Sequence, residues 1–145
     1  MIYLFILLGC DHNLKDTASI IEVVIPEGEP PNFDMPSDGA AFISVENVYA
    51  EYEAGRSFIF LDARPSVDYN LQHITGAYSI PFYEVEDHFD AFPKDVWYIA
   101  YCACPHAESG IVAEYFLNNG HNTVGILDEG YLEWEEQGYP TENGP

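Results

Sequence analysis

Residues 101–110, YCACPHAESG, bring together side chains that can do chemistry. Cys102 and Cys104 are separated by one residue, and His106 follows them. The segment suits a thiolate nucleophile, a tight and labile Cys-x-Cys disulfide, or a metal site with all three side chains as soft ligands. A closed structural zinc site needs four ligands, and no Cys-x-x-Cys pair occurs in the sequence. We therefore expect no metal site and no cofactor.

The elements on either side of this segment favour the nucleophile. The apolar run VWYIAYC predicts a buried strand that ends at Cys102, and ESGIVAEYFLNNG predicts a helix that ends at Gly120. A cysteine on a strand-to-helix turn faces backbone N–H groups and the positive end of the helix, and both stabilise a thiolate. We therefore predict that Cys102 is catalytic, with Cys104 either an auxiliary or a resolving thiol.

The predicted loop covers residues 103–108, and the helix is expected to begin at about Ser109, whose hydroxyl would cap it. The helix residues expected to face inward are Ile111, Val112, Tyr115 and Phe116. His106 either binds an anionic donor or shuttles a proton, or it lies exposed without a role. Glu108 is unfavourable for an anionic substrate. The residues assigned to the substrate-binding loop are Ala103, Cys104, Pro105, His106, Ala107, Glu108 and Ser109.

The rest of the chain alternates between strand and helix patterns. SVENVYAEYEAG predicts a helix with Ser44 as its N-cap, and SVDYNLQHI, VEDHFDAF and YLEWEEQG predict further helices. SFIFLDAR, GAYSIPF and TVGILDEG predict strands. This alternation indicates an α/β domain with a mainly parallel sheet. Ligands of such sheets bind at the carboxyl ends of the strands, where Asp62 and Cys102 are expected to lie.

Three separated motifs resemble the rhodanese (sulfurtransferase) family. LDARPSVDYNLQHITGAYSIP is similar to its first signature, YC after a buried strand to the start of its active-site loop, and TVGILDEGYLEW to its closing signature, with Glu129 in place of the first of two glycines. The resemblance implies a rhodanese-like domain over residues 41–145. It also implies a three-layer fold with a central, mainly parallel five-stranded sheet flanked by helices.

The resemblance implies that Cys102 takes a sulfane sulfur from a donor, holds it as a persulfide and passes it to cyanide or a thiol. Asp62 and Arg64 are expected to support the site, with Arg64 paired to Asp68. The resemblance gives thiosulfate, a persulfide or a polysulfide as candidate donors. Because the loop lacks the basic residue that meets thiosulfate in many such enzymes, thiosulfate is the less favoured of these, and a partner protein is a further alternative. The alternative is a non-catalytic module that binds a partner or senses redox state through Cys102 and Cys104.

The residue at position 108 argues against a cysteine-dependent phosphatase. Cysteine phosphatases need an arginine six residues after the nucleophile to clamp phosphate, and that residue here is Glu108.

The chain has 25 Asp and Glu against 4 Lys and Arg, for a formal net charge of −21. Such a surface repels nucleic acids and anionic lipid headgroups, so neither is an expected partner. The expected partners are a small sulfur donor and a thiophilic acceptor.

The amino terminus differs from the domain. Residues 1–10, MIYLFILLGC, resemble a bacterial lipoprotein signal in which Cys10 is acylated, although no basic residue precedes the apolar run. This predicts a lipid-anchored protein on the periplasmic face of the cell envelope. The alternative is a short hydrophobic strand in a cytoplasmic protein. Residues 11–40 are acidic and rich in Pro and Gly, which predicts a linker, with the patch at 20–25 as an added edge strand.

Overall fold

Short apolar runs form the strands, and the segments between them form the helices. The computed structural model of the protein describes residues 21–103 and 105–145. The strands are β1 (Ala41–Ile43), β2 (Ile59–Asp62), β3 (His73–Ile74), β4 (Tyr78–Ser79), β5 (Tyr98–Tyr101), β6 (Val124–Leu127) and β7 (Thr141–Glu142). The helices are α1 (Val45–Glu53), α2 (Ser66–Leu71), α3 (Val85–His88), α4 (Ala107–Asn118) and α5 (Tyr131–Glu136), with a 3₁₀ helix at Phe89–Ala91.

The central sheet has five strands in the order β1-β6-β5-β2-β4, and every pairing within it is parallel. The predicted sheet is thereby confirmed. All residues of β2, β5 and β6 are buried, as expected for parallel strands that are covered on both faces. A second sheet pairs β3 with β7 in the antiparallel direction. The sequence did not predict this pair, because two-residue strands are too short to show a periodicity.

Side chains that alternate along the strands separate two hydrophobic cores. On β5, Ile99 and Tyr101 belong to the core that contains residues of α1, α2 and α5, whereas Tyr98 and Ala100 belong to the core that contains residues of α3 and α4. Helices therefore cover both faces of the sheet, which confirms the three-layer architecture. Each large apolar side chain buried in these cores stabilises the fold by about 1.5–3 kcal/mol.

Strand β1 takes the edge position next to β6, and the sequence did not predict it. The prediction of an edge strand at residues 20–25 is wrong for the described residues 21–25, which have no strand structure. The backbone N–H of Val24 donates instead to the side-chain hydroxyl of Tyr78, at 2.8 Å. The fifth strand is β1, in which Ala41 is in register with Gly125 of β6.

The described part of the predicted linker packs against the domain. The carbonyl oxygen of Glu29 accepts a hydrogen bond from the backbone N–H of Ser57 at 2.8 Å. The ring of Phe33 meets those of Phe58 and Trp97 edge-on, with centroids 6.0 and 5.6 Å away. Residues 21–36 therefore add contacts to the domain, and the boundary at residue 41 stays a prediction. Within the described residues, no helix is long and apolar enough to cross a bilayer.

Two side chains stabilise the start of α1. The Oγ of Ser44 accepts a hydrogen bond from the backbone N–H of Asn47 at 3.3 Å, which confirms the predicted N-cap. The Glu129 carboxylate, from the loop after β6, accepts from the backbone N–H of Val45 at 2.8 Å. An acidic group is favourable here because the first turn of a helix carries partial positive charge. Glu129, which departs from the closing signature, therefore links α1 to the segment before α5.

Candidate active site

Cys102 directly follows β5, at the carboxyl edge of the sheet. The last residue of β5, Tyr101, is in register with Asp62 at the end of β2, so the two predicted site segments lie side by side. Cys102 is 2% exposed, and its Sγ lies 3.3 Å from the Oγ of Ser109. When the sulfur is a thiolate, the hydroxyl donates to it, and a donor to the charged form favours that form. Ser109 therefore contacts the candidate nucleophile directly.

Helix α4 begins earlier than the sequence indicated. Its first residue is Ala107, and His106 occupies the N-cap position, so the prediction that Ser109 caps the helix is wrong. Ser109 lies instead on the buried face of the first turn. The inward orientation expected of Ile111 is also wrong, since that side chain is 48% exposed. The buried residues of α4 are Ser109, Val112, Ala113 and Phe116, which follow the helical spacing from Ser109.

His106 connects the loop to two neighbouring elements. Its φ is 70°, and no other non-glycine residue in the described parts of the chain has a positive φ. Its Nε2 lies 2.7 Å from the Oδ1 of Asp128 and 2.9 Å from the carbonyl oxygen of the same residue. Both oxygens only accept, so Nε2 carries the hydrogen. The imidazole also packs on Phe42 of β1, with ring centroids 4.5 Å apart.

Gly130 allows the chain to pass directly behind Cys102. The backbone N–H of Tyr131, the first residue of α5, donates to the carbonyl oxygen of Cys102 at 2.8 Å. Gly130 has a φ of 79° and a ψ of −172°, a conformation that is essentially restricted to glycine. A Cβ at this position would lie 2.8 Å from the same carbonyl oxygen. The retained glycine of the closing signature is therefore required by backbone conformation and by space.

A buried ion pair lies at the same edge of the sheet as Cys102. The guanidinium of Arg64 contacts the Asp62 carboxylate through Nη2 at 2.6 Å and Nε at 2.9 Å, and Nη2 also donates to the carbonyl oxygen of Gln72. The expected pairing of Arg64 with Asp68 is wrong, because the side chain turns back to the acid two residues earlier. Burial acts to lower the pKa of Arg64, but the hydrogen bond and charge of Asp62 outweigh it and the pKa is raised.

Two tyrosines complete this cluster. The hydroxyl of Tyr101 donates to the Asp62 carboxylate at 2.8 Å, and burial, with the nearby Asp62 charge, raises the pKa of Tyr101 well above its usual value. The Arg64 guanidinium lies 3.9 Å from the ring centroid of Tyr131, close enough for a cation–π contact. Asp62 and Arg64 thus brace the ends of β2 and β5 and the start of α5.

The loop beyond Cys102 carries negative charge. Residues 103–108 contain no Lys or Arg, and Pro105 has no backbone N–H to offer. Glu108 is half-buried in the first turn of α4. Burial raises the pKa of Glu108, and the charges of Asp68 and Asp62 raise it further, while Arg64 acts in the opposite direction.

The predicted loop residues differ in exposure. Ala103 is half-buried, whereas Pro105 and Ala107 are exposed. Cys104 and Cys10 lie outside the described residues. In residues 21–103 and 105–145, no three His, Cys, Asp or Glu side chains are grouped so that they can hold a metal ion.

Asp128 is the site neighbour that the sequence analysis missed. It follows β6 directly, at the same edge of the sheet as Asp62 and Cys102. The rule that selected those two residues, a polar side chain at the carboxyl end of a parallel strand, therefore also applies to Asp128.

The sequence matches a known domain family over most of its length. A family model of the rhodanese-like domain matches residues 44–137. The chain belongs to the rhodanese-like domain family. A curated relative, the HTH-type transcriptional regulator Rv0324 of Mycobacterium tuberculosis, is 33% identical over 92 residues, which are 63% of this chain and 40% of that protein. This chain thus matches less than half of the relative's length.

Solved structures support the same rhodanese-like fold. The Alr3790 protein of Anabaena sp. superposes with a TM-score of 0.63 and 26% identity, covering 70% of this chain and 80% of that one. A thiosulfate sulfurtransferase of Pseudomonas aeruginosa superposes with a TM-score of 0.60 and 26% identity, covering 73% of this chain and 21% of that one.

Proposed function

We propose that this rhodanese-like domain is a sulfurtransferase that carries sulfane sulfur on Cys102. In the first step the thiolate attacks the sulfane sulfur of the donor. A bond forms between the two sulfurs, the donor's sulfur–sulfur bond breaks, and the leaving group departs with the electron pair as sulfite or a thiolate. In the second step cyanide or a thiolate attacks the outer sulfur of the Cys102 persulfide. The new bond to the acceptor forms, and the cysteine thiolate is regenerated.

The observation that carries this proposal is the position of the Cys102 sulfur. It is buried at the carboxyl edge of the sheet, 3.3 Å from the Ser109 hydroxyl in the first turn of a 12-residue helix. The amino end of a helix carries roughly half a positive charge, and a hydroxyl donor adds a directed hydrogen bond to an anion. Both stabilise a thiolate and then the persulfide anion. An inert core cysteine needs neither.

The loop charges favour a donor that is less negative than thiosulfate. Glu108 puts a negative charge in the first turn of α4, and the charges of Asp68 and Asp62 are near enough to raise its pKa. A dianion experiences twice the repulsion of a monoanion from the same charges. We therefore propose an organic persulfide of low net charge as the donor, rather than dianionic thiosulfate or inorganic polysulfide, with a small thiol or cyanide as acceptor. Replacing Glu108 with Lys should then raise the rate with thiosulfate more than the rate with a persulfide.

We also propose that Cys10 is acylated and anchors the domain at the cell envelope. The support is the LLGC sequence that ends the apolar run. Growth of the native host with a labelled fatty acid tests this, with Cys10→Ser as the control. Label on the wild type and none on the variant is expected, and an unlabelled wild type contradicts the anchor.

Thiocyanate formation from cyanide tests the enzymatic proposal. The wild type is assayed with thiosulfate, glutathione persulfide and inorganic polysulfide, beside Cys102→Ser and the matched variant Cys104→Ser. We expect activity in the wild type, loss in Cys102→Ser, and retention in Cys104→Ser. If no donor yields thiocyanate, or if Cys102→Ser keeps the wild-type rate, the domain is not a sulfurtransferase. A Cys102–Cys104 disulfide in the inactive wild type would support the redox-sensing alternative.

A further inference from the structure

We propose that His106 is a positioning residue, whose hydrogen bond to Asp128 holds the active-site loop in the conformation that sulfur transfer needs. This role rests on the proposed function of Cys102. His106 lies between Cys102 and Ser109 in the sequence, and its imidazole points away from the loop to the segment that follows β6. The contact joins the middle of the loop to the central sheet.

The backbone at His106 needs a compensating contact. A φ of 70° puts this residue in the left-handed region, which side chains with a Cβ occupy at a cost in free energy. The backbone bonds found here are short-range, from Ala107 N–H to the carbonyl oxygen of Pro105 at 3.1 Å and from Gly110 N–H to that of His106 at 2.9 Å. Neither connects the loop to the sheet. The imidazole does so, through the two oxygens of Asp128.

Asp128 is a fixed partner for this contact. Its own backbone N–H donates to the carbonyl oxygen of Ile43 at 2.9 Å, so it is held by the β1–β6 end of the sheet. The ring of Phe42 in β1 also packs on the imidazole, with ring centroids 4.5 Å apart. The contact needs only a hydrogen on Nε2, which the neutral imidazole can carry as well as the protonated one. The loop is therefore held in either protonation state.

Two amide substitutions separate the hydrogen bond from the backbone conformation. Gln places its amide nitrogen near the position of the imidazole Nε2, whereas the shorter Asn places it near that of Nδ1. Asn, however, tolerates a positive φ better than most residues. If the contact with Asp128 matters, His106→Gln retains function and His106→Asn does not. If only the backbone conformation matters, the order is reversed.

The experiment compares these two variants with Asp128→Ala and with His88→Ala. His88 is the matched control, since its Nε2 also lies near a carboxylate oxygen, at 3.7 Å from Glu84, away from the loop. We expect kcat for sulfur transfer to fall on the order of 10- to 100-fold in His106→Asn and Asp128→Ala, with little change in KM. His106→Gln and His88→Ala should stay close to the wild type.

A second measurement does not depend on sulfur transfer. In a Cys104→Ser background, the rate of Cys102 alkylation and the backbone hydrogen exchange of residues 106–110 report on the loop itself. Faster exchange and a changed alkylation rate in His106→Asn, but not in His106→Gln, support the positioning role even if the wild type transfers no sulfur. If Asp128→Ala does not fold, the two His106 variants still decide. Equal behaviour of Asn and Gln, or the reversed order, overturns the proposal.

Discussion

Replacing Gly130 with Ala should lower the stability of the fold and disturb the site, because the backbone of Gly130 lies against the carbonyl oxygen of Cys102. Its φ of 79° and ψ of −172° lie in a region that costs other residues about 1–3 kcal/mol. The added Cβ would lie 2.8 Å from the carbonyl oxygen of Cys102 and 3.3 Å from that of Ala103, so backbone must move. Movement weakens the hydrogen bond from Tyr131 N–H, which contributes about 0.5–1.5 kcal/mol.

These contributions predict that Gly130→Ala lowers the free energy of unfolding by about 2–4 kcal/mol. Gly138→Ala is the matched control, because Gly138 has a φ of 72° and a Cβ there would meet nothing within 4 Å. That variant should lose only the conformational cost, about 1–2 kcal/mol.

Urea unfolding followed by circular dichroism measures both variants, and thiocyanate formation measures the site. We expect Gly130→Ala to be less stable than Gly138→Ala and to lose most of its activity, while Gly138→Ala stays active. Equal stabilities, together with an active Gly130→Ala protein, would refute the inference that Gly130 positions the Cys102 backbone.

Three further substitutions test the surroundings of the site. Asp62→Ala should lower the free energy of unfolding by about 3–5 kcal/mol in urea titrations, because it leaves the Arg64 charge buried without its carboxylate. Glu129→Ala should cost about 1 kcal/mol in the same titrations, since it removes the acceptor of the Val45 N–H. Burial raises the pKa of the Glu108 carboxyl above its usual 4.5, so the folded state binds the proton of this group more tightly than the unfolded state does. The free energy of unfolding therefore falls as the pH rises from 4.5 through the raised pKa. Glu108→Gln should therefore gain stability over the wild type at about pH 7 and lose that advantage at about pH 4, as thermal unfolding at both pH values would show.

The architecture was predictable from the sequence because its main elements are long enough to show a pattern. The buried runs at β2, β5 and β6 and the helix after Ser44 were all placed correctly. What failed was the edge strand predicted at residues 20–25, and β1 was missed, because the patch at 20–25 is a longer apolar segment than the three residues of β1. A strand forms only where its backbone can pair with a neighbouring strand. The backbone N–H of Val24 donates instead to the side-chain hydroxyl of Tyr78.

The candidate site was predictable in position but not in contacts. Cys102 and Asp62 follow from the rule that polar residues at the carboxyl ends of parallel strands meet at one edge. The acidic partner of Arg64 depends on a side-chain conformation that sequence spacing does not determine. The sequence predicted Asp68, whereas the guanidinium pairs with Asp62. The His106–Asp128 contact joins residues that are 22 positions apart, so local sequence patterns contain no signal for it.

The central claim, that Cys102 carries sulfane sulfur, is tested most directly by intact-protein mass spectrometry with peptide mapping. The wild type, Cys104→Ser and Cys102→Ser are incubated with glutathione persulfide, and then with cyanide. We expect the first two proteins to gain the mass of one sulfur atom on the peptide containing Cys102 and to lose it on adding cyanide, while Cys102→Ser gains none. No sulfur on Cys102, or equal loading of Cys102→Ser, would contradict it.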